Sequence, residues 1–198
     1  MKKCLALLLA LGMLLSLAAC SEGEIEKIEK ETTANAQQET PAADEKTEEA
    51  DEKPLKLWES IWNGDMSQYE AMVPAEVLEQ QKSIYGAEYT QWMEDGKQSL
   101  KEAVEESLQE NGKITLTVTA RETLPEADVK RIGEAVKNMY ELDETKVMAA
   151  HKLDVTATYE KEGVAEESAQ MYVMQYGDQW YLISYMVYGE EANVDFFF

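Results

Sequence analysis

The sequence predicts an α+β domain: N-terminal helices packed on a curved antiparallel sheet of about four strands, behind a signal peptide and a disordered tether. Three observations predict it. Apolar residues recur at helical spacing from Leu55 to Leu108 and again from Val129 to Leu142. Between these blocks Ile114, Leu116 and Val118 alternate with Thr115, Thr117 and Thr119, the period of a half-buried strand. After Val147 the period stays at two as far as Tyr188, broken by turns at Glu162-Gly163 and Gly177-Asp178. Helices gathered first and strands gathered later fit segregated layers better than alternating βα units.

The elements follow in order. Pro54 suits the first position of a helix, and Leu55, Trp58, Ile61 and Trp62 share one face of it. Asn63-Gly64-Asp65 ends that helix, and Asp65 or Ser67 can cap a short one through Met72. Pro74 restarts the chain, Val77 to Tyr85 continues as helix, and Gly86 interrupts it. Tyr89, Trp92, Met93, Leu100, Val104 and Leu108 mark a further helix that Asn111-Gly112 closes. The strand from Ile114 comes next, and then a helix opened by Pro125, with Val129, Ile132, Val136, Met139 and Leu142 in one stripe. Val147, Ala149, His151, Leu153, Val155, Ala157 and Tyr159 are expected on one face of the following strand. Ala169 to Tyr176 and Trp180 to Tyr188 complete a meander, the last strand apolar on both faces and so covered on both.

Ahead of the domain, Met1-Lys2-Lys3 gives a positive end and Cys4 to Ala19 an uncharged run of 16 residues. That run is shorter than the ~20 residues needed to span a bilayer core, and it ends in small residues, as a secretory signal does. Leu17-Ala18-Ala19-Cys20 resembles the lipobox of bacterial lipoproteins. The resemblance implies cleavage after residue 19 and lipid attachment, of the diacylglyceryl and palmitate kind, at Cys20. A membrane partner through that lipid follows, on the extracytoplasmic face of the bacterial cell membrane. Two acyl chains hold a protein stably where one holds it marginally.

Residues 20–53 then read as the lipidated Cys and an acidic tether. From Ser21 to Lys53 there are 12 acidic and 4 basic residues, with Ile25 and Ile28 the only large apolar ones. Such a segment buries too little apolar surface to offset the entropy of ordering. Residues 54–198 make a single α+β globular domain with 28 acidic and 12 basic residues, a charge of −16. That charge repels phosphate backbones and excludes nucleic acid as a partner. With Cys4 in the signal and Cys20 lipidated, no thiol is left for a disulfide, a zinc–thiolate site or a cysteine nucleophile.

Leu57 to Met72, reading LWESIWNGDMSQYEAM, and Gln175 to Tyr185, reading QYGDQWYLISY, are similar to the opening helices and closing hairpin of the nuclear transport factor two-like superfamily. A cystatin-like arrangement is the related alternative. The resemblance implies a cone-shaped sheet around helices, with a pocket that some members use for catalysis. It brings no catalytic residues, and the sequence departs from it by showing one strand, not two, before the middle helix.

Candidate chemistry is sparse. His151 is the only histidine, and Lys152 and Asp154 fall on the other side of its strand, so no local dyad exists. Its two readings are a hydrogen-bonded structural side chain and an acid or base in a small pocket enzyme. Tyr159, Tyr172, Tyr176 and Tyr185 are candidate pocket residues with His151, suited to a peptide, a sugar or another protein; their other reading is ordinary strand packing. No calcium loop, phosphate-cradling Gly loop or nucleophile elbow is present, so no metal and no cofactor is expected. The tail Val194-Asp195-Phe196-Phe197-Phe198 either docks on the domain or forms a partner patch. The function expected is a membrane-anchored lipoprotein with a non-catalytic binding domain; the alternative is the pocket enzyme built on His151.

Overall fold

The structure is a computed structural model, and it describes residues 45–189 and 191–197, with side chains from Ala50 onward. The signal segment 1–19, the attachment residue Cys20 and tether residues 21–44 lie outside the described residues. Residues Lys46–Phe198 make one compact unit.

Helix α1 runs Glu45–Trp62 and contains Pro54 in its interior. The expected boundary at residue 54 is therefore too late, because nine residues assigned to the tether are helical. An interior proline forfeits a hydrogen bond to residue i−4 and crowds that turn. Among the described side chains of these turns the buried one is polar: Asp51 is fully buried in an ion-pair cluster, invisible to a reading that weighs apolar content. Gly64, at φ 97°, ends α1. The Ser67 amide donates to Asp65 Oδ1 at 2.9 Å, shaping the approach to a single 3-10 turn, Tyr69–Met72.

Helix α2, Ala75–Tyr85, follows Pro74, and α3, Tyr89–Asn111, follows a 3-10 turn at Gly86–Glu88. Helix α3 stops at Gly112, with φ 71° and space so tight that a Cβ would lie 3.1 Å from the Lys161 amide nitrogen. Helix α4, Glu126–Tyr140, is preceded by Pro125 as expected. The strands are β1 Ile114–Thr123, β2 Val147–Tyr159, β3 Glu167–Tyr176, β4 Gln179–Tyr188 and β5 Glu191–Phe196.

These form one open, antiparallel sheet in the order β1-β2-β3-β4-β5. The sheet has five strands rather than about four, because the tail becomes β5 and pairs with β4. Phe196 is 7% exposed and packs with Tyr140 and Tyr181, so the tail docks.

Both sheet faces are buried at the centre. Cross-strand partners share a face, so His151, Val173 and Leu182 line one, and Ala150, Met174 and Tyr181 the other. Helix α1 brings Asp51 to the first face, and α4 brings Asp128 to Tyr185 on the second. Leu153, Val173, Met174 and Ile183 are each at most 1% exposed. Burying an apolar side chain of that size contributes about 1.5–3 kcal/mol.

Two β-bulges decide which residues face where. One, between Val147 and Ala149, places Val147 with Tyr176 on the second face, away from His151. The expected stripe thus loses its first member. The other, between Val118 and Ala120, turns Arg121 onto the face of Leu153 and Val155. A bulge inserts one unpaired residue and re-aims all that follow.

The first half of the outer edge of β1 is occupied by side chains of α1 and of Asn63 just after it. Asn63 donates to the Ile114 carbonyl and accepts from the Ile114 amide, both at 2.8 Å. The Leu116 amide donates to Glu59 at 2.6 Å, and Lys56 donates to the Leu116 carbonyl at 3.1 Å. The backbone groups of an edge strand seek partners, and here a helix supplies them.

Candidate functional site

The sheet's first face carries a buried charged cluster. Asp51, from the part of α1 read as tether, has 0% exposure. It accepts from Arg121 Nε at 2.7 Å and Nη2 at 2.9 Å and meets His151 Nδ1 at 2.5 Å. Arg121 also donates to Glu52 at 2.9 Å. Burial works against the Arg121 charge, yet Asp51 and then Glu52 outweigh it and hold the guanidinium above its usual range. The bidentate fork on a carboxylate is the arrangement arginine satisfies best. The bulge in β1 delivers Arg121, the regular register of β2 delivers His151, and α1 delivers Asp51 from 100 residues away in sequence.

Chemically this is an aspartate–histidine pair with a third, competing partner. An acid–base dyad leaves its carboxylate free to orient the imidazole. Here both Asp51 oxygens also serve Arg121. His151 Nε2 makes no hydrogen bond among the described residues. The ring of Trp180 lies against His151 with centroids 4.7 Å apart.

Trp180 is also the link to a groove of about 500 Å³. One wall is the start of α1, including Lys53, Pro54 and Leu57; the other is the β3–β4 turn and β4, including Asp178, Gln179 and Tyr181. Gln68 and Met72, from the first 3-10 turn, close one side. His151 does not line this groove. The Tyr181 hydroxyl donates to Gln179 Oε1 at 3.0 Å. The indole N–H of Trp180 and the side chains of Lys53, Gln68 and Asp178 make no hydrogen bond or ion pair among the described residues.

The expected tyrosine pocket does not assemble. Tyr159 shares the His151 face, whereas Tyr172, Tyr176 and Tyr185 lie on the opposite one. The Tyr159 hydroxyl is buried without a partner, and burial, then the charge of Glu167, pushes its pKa up to about 12. Tyr185 donates to Asp128 at 2.9 Å and is likewise pushed up to about 12, first by burial and then by that bond. Tyr172 packs edge-on against Tyr185 at 5.5 Å. Tyr176 accepts from the Asp143 amide at 3.3 Å and lies beneath Lys146.

Sequence reasoning named His151 but missed Asp51, Arg121 and Trp180 as its neighbours. For Arg121 no signal existed: Ala120-Arg121 continues the apolar–polar alternation from Ile114, and only the bulge between Val118 and Ala120 turns the arginine inward. Asp51 offered none, standing in a run of similar acids. Among the described residues no group of three or more His, Cys, Asp or Glu side chains is arranged to hold a metal ion, and no helix is long and apolar enough to cross a membrane. Compared with protein-family models, with curated proteins and with solved structures, the chain matches none.

Proposed function

We propose that this chain is a lipoprotein anchored through Cys20 to the extracytoplasmic face of the bacterial cell membrane. In this reading its acidic α+β domain, of the cone-shaped nuclear transport factor two-like kind, binds a ligand in the groove beside Trp180 and carries out no reaction. The observation that carries the anchor is Leu17-Ala18-Ala19-Cys20, closing an uncharged run behind two lysines. The binding role is favoured by the groove itself, a concavity of about 500 Å³ that sets the ring of Trp180 beside the amides of Gln68 and Gln179.

The anchor is tested by growing cells with a clickable palmitate analogue. The wild-type chain takes up label and sediments with membranes, while Cys20→Ala is unlabelled. Label retained by Cys20→Ala, or none on the wild type, rejects the anchor.

A second reading, the pocket enzyme with His151 as acid or base, is favoured by the 2.5 Å contact with Asp51. Two features weigh against it. Arg121 competes for the carboxylate, and the groove that would admit substrate is lined by Trp180 rather than by His151.

A further inference from the structure

The groove carries more than a general binding role, and its chemistry narrows the ligand. The indole of Trp180 is backed by His151, and His151 is fixed by Asp51. The ring is therefore contacted on one side by a side chain that is itself held in place. Its N–H is unpartnered among the described residues. Around it stand one ammonium (Lys53), one carboxylate (Asp178) and two amides (Gln68 and Gln179), of which Gln179 keeps its NH₂ free after accepting from Tyr181.

This set is balanced in charge and mixed in donors and acceptors. An anionic ligand would meet one lysine in a domain carrying 28 acidic and 12 basic residues, and long-range repulsion opposes it. A cationic ligand is drawn at long range by the domain's charge but meets Lys53 as well as Asp178 in the groove, so nothing there selects for a cation. An extended peptide would need a strand edge for its main chain, but the groove crosses a hairpin turn. A neutral polyhydroxylated ring meets none of these obstacles. Its hydroxyls both donate and accept, its C–H face suits an indole, and the volume falls in the range of small-ligand pockets.

We propose that this groove is a saccharide site, in which a neutral pyranose ring stacks on Trp180 and is hydrogen-bonded by Gln68, Gln179, Lys53 and Asp178. The proposal rests on the groove being the binding site.

The test is calorimetric titration of the full chain, purified in detergent, with glucose, maltose, cellobiose and N,N′-diacetylchitobiose, and in parallel with the neutral dipeptide Ala-Phe. The expected result is saturable binding of at least one sugar. Trp180→Ala should weaken it by about tenfold or more. Because Trp180 also packs on His151, Gln68→Ala serves as a second variant: its side chain is exposed and unbonded, so the melting temperature should not move while affinity falls by about three- to tenfold. Sugar binding unchanged in both variants overturns the site. Dipeptide binding that Trp180→Ala removes, with no sugar bound, overturns the ligand class and leaves the groove reading standing. Failure of every probe overturns both.

Discussion

Replacing Asp51 by alanine tests whether the charged cluster holds the start of α1 on the sheet. The carboxylate is fully buried and makes three short contacts, two with Arg121 and one with His151. Removing one partner of a buried ion pair costs about 3–5 kcal/mol, because the remaining charge is stranded in a poor solvent. Here the stranding is partial. Arg121 keeps Glu52 at 2.9 Å and its side chain is 18% exposed. The lower end, about 3 kcal/mol, is therefore expected. For a unit of this size, that lowers the melting temperature by about 6–12 °C. The control is Glu52→Ala, which removes a contact whose carboxylate side chain is 37% exposed and should cost under about 1 kcal/mol. Thermal and urea unfolding by circular dichroism measure both, and hydrogen exchange locates the loss in the first turns of α1. If Asp51→Ala costs no more than Glu52→Ala, the cluster is not a clamp and the account of why residues 45–53 are helical is wrong.

Two further outcomes follow from the same geometry. Tyr140, Tyr159 and Tyr185 are held at about 12, each chiefly by burial. A raised folded pKa means that the unfolded chain loses its proton first, so the stability these groups contribute is intact below pH 10 and is lost as pH rises from 10 to 12. A spectrophotometric titration should show a late-ionising fraction of the tyrosines coincident with unfolding; complete ionisation near pH 10 would contradict it. Asn63→Ala removes both bonds to Ile114 and should cost about 1–3 kcal/mol. Light scattering should rise as the β1 edge is uncovered, and unchanged stability with no aggregation would show that water replaces the side chain without loss.

Much of the fold was legible because burial leaves a period in the sequence. Ile132 and Val136 recur on one helical stripe and both are fully buried, whereas Met139 of the same expected stripe is 42% exposed and Leu142, though buried, lies beyond the end of α4 at Tyr140. Ile114 and Leu116 alternate with threonines and are buried as a strand face should be. The misses share a physical cause, which is that periodicity reports apolar burial alone. Among residues 50–53, whose side chains are described, the buried one is an aspartate, Asp51. Bulges add one residue to a strand and swap its faces, which separated Val147 from His151 and brought Arg121 to it. The strand Glu191–Phe196 is short and polar at its start, so its alternation was too brief to read. The site was less legible than the fold. The groove is made by residues distant in sequence, and Trp180 looked like any other core aromatic.

The polar side chains that α1 lends to the rim of β1 also set a limit on growth. A sheet can extend indefinitely only if each added copy offers a fresh edge at both ends. With the Ile114–Leu116 part of one edge already satisfied from within the chain, stacking of copies through the sheet is hindered at β1 and freer at β5. Two copies can meet there back to back, and growth beyond the pair would have to use the shorter stretch of β1 after Leu116. For the anchored lipoprotein proposed above, crowding at the membrane would raise the tendency to pair, and the covered start of β1 would direct that pairing to β5.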